Sequence, residues 1–136
     1  VRGVLADHDC EGHLARLLAV ARAAGWGEFW DGLGLVAETF AGVGLDRTSS
    51  DRDVWRTCQA EQLVLVTRNR NHDGPDSLEA VIRAEGTLDT LPVITLRADR
   101  AVFAERGYAL RAAERMMEIL VDMDDRYRGA GRLYIP

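Results

Sequence analysis

The run Leu63-Val64-Leu65-Val66-Thr67-Arg68-Asn69-Arg70-Asn71 decides how this chain folds. Leu63 to Thr67 is a continuous apolar stretch with two valines closed by a threonine, which suits a central strand buried on both faces. The sequence then turns polar, and Asn71-His72-Asp73-Gly74-Pro75 signals a turn. In an open parallel sheet, ligands bind beyond the carboxyl ends of the strands. The residues that close this run, Arg68 to Asp73, therefore fall where a site would be built.

Working outward, Ser50 is placed to cap a helix, and Asp53 stands at its third position as a variant of the capping box. Val54, Trp55 and Cys58 give that helix a buried face. Downstream, Asp76 is read as the cap of a helix with Glu79 completing a box, and Gly86 ends it. Leu91 to Leu96, entered through Pro92, is a second buried strand, followed by a short irregular or helical piece over Asp99 to Gly107. Tyr108 to Tyr127 is the longest helix, with Leu110, Ala113, Met117 and Leu120 on one face; Met123 is read as packing, with a dimer face as an alternative. Toward the start, Gly3-Val4-Leu5-Ala6 is a short strand. Asp9 is placed to cap a helix with the stripe Leu14, Leu17, Leu18 and Ala21, stopped by Gly25. Phe29, Trp30, Leu33, Val36, Ala37 and Phe40 recur at helical spacing, predicting a helical insertion over 28–41. The tail at 128–136 carries apolar Leu133-Tyr134-Ile135, suited to a sheet edge or to a partner chain, which makes a homodimer an expectation. Strands alternate with helices, so the expected fold is α/β: one domain with a mostly parallel sheet flanked by helices on both faces.

A length of 136 residues, 47% of them hydrophobic, supports one soluble domain with a real core. No apolar run is long enough to span a bilayer, and no basic stretch leads into an apolar one near the amino end. Two cysteines outside any Cys-x-x-Cys pair point away from a disulfide framework, and a reducing, cytoplasmic location is expected. All 17 basic residues are arginine, and the net charge of −5 excludes attraction of nucleic acid by the overall field. Contact with RNA would need a local patch, such as Arg68 with Arg70, or Arg126 with Arg128 and Arg132.

Three polar clusters reach the same sheet edge: Asp7-His8-Asp9 after the first strand, Ser50-Asp51-Arg52-Asp53 at a helix start, and Arg68 to Asp73. Asp7 closes a buried strand and has no capping duty of its own, so function is favoured there. Asp51 is balanced between a ligand and an acid complementing the helix dipole. Asn69 and Asn71 are ordinary turn residues that also follow the central strand directly. Asp73 suits the turn before Gly74 as well as the pocket, and Asp9, Asp53 and Asp76 are explained by capping. Arg68 and Arg70 have the right chemistry to clamp a phosphate, or else remain solvated. His8, Cys10, His13 and His72 match no zinc spacing.

Leu5-Ala6-Asp7-His8-Asp9, Ser50-Asp51-Arg52-Asp53-Val54-Trp55 and the Thr67–Asn71 strand end together resemble the motifs of small PIN-like proteins. There an Asp-Glu-Asn opening, a Ser-Asp-Glu-Glu helix and a Thr-Arg-Asp-x-Asp strand end occur in this order. The resemblance implies a three-layer α/β/α fold and a magnesium- or manganese-dependent ribonuclease. It also implies, as for many of that family, a toxin with an antitoxin-type protein partner. Asp7 and Asp51 match the first two acids, and Asn69 and Asn71 stand where the family has aspartates. The implied catalytic set is Asp7, Asp51, Asn69 and Asn71, with Asp7, Asp51 and Asp73 toward metal and Arg68 and Arg70 toward substrate. Two amides in place of two carboxylates remove two charges from the cage, which weakens cation binding. The alternatives are a PIN-like module without catalysis that binds RNA, a nucleotide or a protein. A receiver-like regulator is disfavoured, because no phosphoacceptor aspartate ends the central strand and the chain has no lysine.

Overall fold

The computed structural model describes residues 1–69, 74–98 and 104–136. Among them, five strands form one all-parallel sheet: β1 (Gly3–Ala6), β2 (Val36–Glu38), β3 (Leu63–Thr67), β4 (Val93–Leu96) and β5 (Arg132–Ile135). Their order across the sheet is β2-β1-β3-β4-β5. The chain first builds outward from β1 to β2, then crosses back to pair β3 on the other side of β1. That reversal opens a crevice at the carboxyl ends of β1 and β3, the switch point where doubly wound sheets bind ligands. The helices are α1 (Glu11–Ala23), α2 (Gly27–Gly32), α3 (Asp51–Glu61), α4 (Leu78–Glu85) and α5 (Arg106–Val121), with a π-helical turn at Met123–Tyr127.

Strand periodicity sorts the core into two layers. Val4, Ala6, Val64, Val66, Ile94 and Leu96 point to the side covered by α1 and α5. Leu5, Leu63, Leu65 and Val93 point to the side covered by α3 and α4. Both faces being apolar explains why β3 reads as an unbroken hydrophobic run. Gln59 of α3 pins this helix to the sheet through a reciprocal amide pair with Leu91, 3.0 Å to its carbonyl and 2.8 Å from its N–H. No helix among the described residues is long and apolar enough to cross a membrane.

Several local expectations are corrected. The stretch 28–41 is helical only at its start, in α2, and Val36–Glu38 is instead the edge strand β2. Gly34 adopts φ +66°, a left-handed turn that ends the helical path and sends the chain back along β1. The N-cap of α1 is Cys10 rather than Asp9, and it makes no side-chain cap bond. The cap of α4 is Ser77, which accepts from the Ala80 amide, and Asp76 instead lies 3.8 Å from Arg52 at the surface. The long helix stops at Val121, and Met123 is packed in the core rather than presented to a partner. By contrast, one of the two expectations for the tail holds: it adds an edge strand to the sheet, β5 pairing with β4 from Val93↔Arg132 to Leu96↔Ile135. Most of the irregular piece expected after Asp99 lies outside the described residues.

Gly3 is required by the close approach of β2. A Cβ there would collide with the Val36 carbonyl, which is backbone and has nowhere to move. Gly3→Ala is expected to lower the unfolding free energy by about 1–3 kcal/mol, as overpacking does, read as a lower urea midpoint with the slope unchanged.

Candidate active site at the β1–β3 switch point

Asp7 is placed by the sheet itself. β1 and β3 pair in register up to Ala6↔Val66, and the Asp7 amide extends the ladder by donating to the Val66 carbonyl at 2.9 Å. Its side chain thereby comes abreast of Thr67. The Thr67 hydroxyl, fully buried, donates to Asp7 Oδ2 at 2.6 Å and accepts from the Asn69 backbone amide at 2.9 Å. A buried hydroxyl needs partners for its proton and its lone pairs, and these two contacts supply them. Asp7 Oδ1 accepts from the His8 backbone N–H at 2.8 Å and lies 3.2 Å from His8 Nδ1.

Asp51 arrives from the opposite layer. Ser50 has extended backbone and caps α3 through the Asp53 amide at 3.1 Å, so Asp51 occupies the first turn. Its carboxylate accepts from Asn69 Nδ2 on both oxygens, at 3.3 and 3.2 Å. Asp7 and Asp51 are thus joined through Thr67 and Asn69, and both line one cavity of about 260 Å³. His8, Asp9, Arg68 and Asn69 complete its polar wall, while Phe40 and Val54 contribute apolar surface. With three carboxylates against one guanidinium and His8 neutral, the described wall carries a formal charge of −2.

Hard divalent ions take oxygen ligands and favour excess negative charge. Ligand atoms of Asp7, His8 and Asp9 lie within 4.8 Å of one another. The Asp7 and Asp51 carboxylates, each with about four acceptor sites, keep capacity beyond the hydrogen bonds they accept. The residues present therefore fit a magnesium or manganese ion.

The structure brings together four of the expected site residues, Asp7, Asp51, Arg68 and Asn69. Arg70, Asn71, His72 and Asp73 lie outside the described residues. Asp9, expected as a cap, faces the cavity, whereas Asp53 is exposed and belongs to the helix start. The basic patch expected at Arg126, Arg128 and Arg132 does not form. The Arg132 side chain is only 6% exposed, and Arg128 is engaged by Asp124 at 2.7 Å, by the Asp89 carbonyl and by Gln62. Thr67 and His8, both within the motif stretches, are not among the expected site residues, yet each bonds to Asp7 at the cavity. A lone hydroxyl ending an apolar run was the signal for Thr67, since burial obliges it to find a partner.

The two thiols are excluded as nucleophiles. Burial pushes Cys10 up to about 12, reinforced by the negative charges of Asp9 and Asp7. Burial likewise raises Cys58 to about 12, again with Asp7 contributing. A reactive cysteine needs the opposite environment.

Comparison with protein-family models, curated proteins and solved structures gave no match to this chain.

Thr67→Val is expected to strand the Asp7 carboxylate and the Asn69 amide, lowering stability by about 1–3 kcal/mol in urea unfolding. Both thiols should resist Ellman's reagent in the native protein and react once it is unfolded. Because folding holds their protons up to about 12 while the ordinary thiol value is 9.0, the unfolded chain binds fewer protons between those values. Stability should therefore be intact below about pH 9 and fall as pH rises toward about 12. The fall should shrink in Cys58→Ala.

Proposed function

We propose that this protein is a magnesium- or manganese-dependent phosphodiester hydrolase acting on RNA in the cytoplasm, with a cation site built on Asp7 and Asp51 and weakened by the amide at position 69. One observation carries the reading: carboxylates from β1 and from α3 line a single cavity at the sheet's switch point, linked through Thr67 and Asn69. The motif order Asp7, Asp51, Thr67-Arg68-Asn69, which resembles that of PIN-like nucleases, supports it as well.

Asp7 and Asp9, whose ligand atoms lie within 4.8 Å of one another, would hold the ion, with the Asp51 carboxylate and the Asn69 amide on the same cavity wall. When bound, it would polarise a phosphoryl oxygen and make water a better nucleophile at neutral pH. The chain's own groups supply the rest. Arg68, on the cavity wall, has the planar fork suited to two phosphate oxygens. The Asp7 carboxylate beside His8 Nδ1 favours the tautomer with hydrogen on that nitrogen, leaving Nε2 as a proton acceptor. Phe40 and Val54 make one wall apolar, which strengthens electrostatic contacts made there.

A second reading, a binding module without turnover, is favoured by one specific contact. The Asn69 amide donates to both oxygens of Asp51, so that carboxylate has a neutral partner where an active site would present it to a cation.

Asn69→Asp separates the two. It replaces a donor with a second carboxylate against Asp51, so the metal-free variant should unfold more easily than the parent. Manganese should restore it, with a binding midpoint lower by about tenfold or more, because one added charge about 4 Å from a divalent ion is worth ~2 kcal/mol even in bulk water. On mixed RNA with manganese, the parent should cleave, Asn69→Asp should cleave faster, and Asp7→Asn and Asp51→Asn should fall to background. Identical products from the parent and both aspartate variants would exclude hydrolysis at this site.

A further inference from the structure

Arg132 begins β5, two strands away from β3 and on the far side of β4 from the cleft. Its side chain nevertheless runs back to the site and is only 6% exposed. Nη1 donates to the Asn69 carbonyl at 2.8 Å and to Thr95 Oγ1 at 2.7 Å, while Nε donates to Glu79 Oε2 at 3.0 Å. One guanidinium thereby joins the end of β3, the middle of β4 and the first turn of α4. Nη2 is buried without a hydrogen-bond partner.

The contact with Asn69 is the one that matters for the cleft. The Asn69 N–H is fixed by Thr67, its side-chain amide rests on Asp51, and its carbonyl is held by Arg132. Fixing the groups on both sides of the Asn69 Cα fixes the frame from which its side chain departs. A guanidinium is planar with N–H groups in set directions, so it imposes an angle as well as a distance. A lysine ammonium is a point charge on a freely rotating stem and cannot reproduce three divergent bonds in that geometry. A residue needed only for charge balance against Glu79 would not require the fork.

We infer that Arg132 is a positioning residue for the switch-point pocket, acting through the Asn69 backbone to set the amide on Asp51. The metal-affinity part of this inference rests on the cation site proposed above; the geometric part does not.

The test follows Arg132→Lys by two readouts in the full chain. One is solvent exchange of the Asn69 side-chain amide by nitrogen-15 NMR. The other is the manganese midpoint from paramagnetic broadening of the His8 and Asn69 amides. In a variant that stays folded, the amide should exchange several-fold faster, and the midpoint should fall several-fold, because an amide no longer held on Asp51 stops occupying that carboxylate. Loss of stability alone, with Asn69 exchange and the manganese midpoint both at parental values, overturns the inference. If Arg132→Lys does not fold, Glu79→Gln takes its place. This variant keeps an acceptor for Nε but removes the anchoring charge, so a smaller shift in the same direction is expected, and no shift overturns the inference. A parent that takes up no manganese removes the proposed function, and Asn69 exchange then judges Arg132 alone.

Discussion

The Thr67 hydroxyl is the contact on which the cleft depends. It is a neutral group bonded to a carboxylate on one side and to a backbone amide on the other, and it ties the end of β1 to the end of β3 beside the last ladder bond. The same pattern recurs around it. Among the described residues, Asp7 accepts from the Thr67 hydroxyl and the His8 backbone amide, and Asp51 from the Asn69 side-chain amide. Such donors fix the carboxylates in place without cancelling their charge. The field they leave is felt outside the cavity, for Asp7 contributes to raising the thiols of both Cys10 and Cys58.

Position 69 shows what an amide does that a carboxylate cannot. An aspartate there would face Asp51 as a second acceptor and repel it. The asparagine donates to Asp51 instead and quiets that end of the pocket. Stability without a ligand and affinity for a cation are thus set against each other at a single side chain.

The sheet was legible in the sequence wherever both faces of a strand were buried, because β3 then reads as an apolar run closed by Thr67 and β4 as one interrupted only by Thr95. The start of α3 was legible too, since Ser50 and Asp53 stand at capping distance. Phe29 to Phe40 misled because a short helix followed by an edge strand places apolar residues at spacings that also satisfy a helical period; Gly34, with its left-handed backbone, marks the true break. Asp9 and Asp76 misled because Cys10 and Ser77, each one residue later, take the terminal position. Asp7 and Asp51 were visible as acids at a strand end and a helix start. Arg132 was not, because nothing local distinguishes an arginine after a glycine-rich loop from the solvated arginines around it. Its role depends on a partner 63 residues away.

An all-parallel sheet contains no hairpin. Each neighbouring pair must be closed across a long stretch of chain, as when Gly3 meets Leu63. Loop-closure entropy opposes every such pairing until the crossover helices dock, which places this topology among slow-folding ones. The cleft draws on positions 7, 51, 67, 69 and 132, so no early local nucleus can contain it. Its geometry therefore forms only once these distant segments have docked.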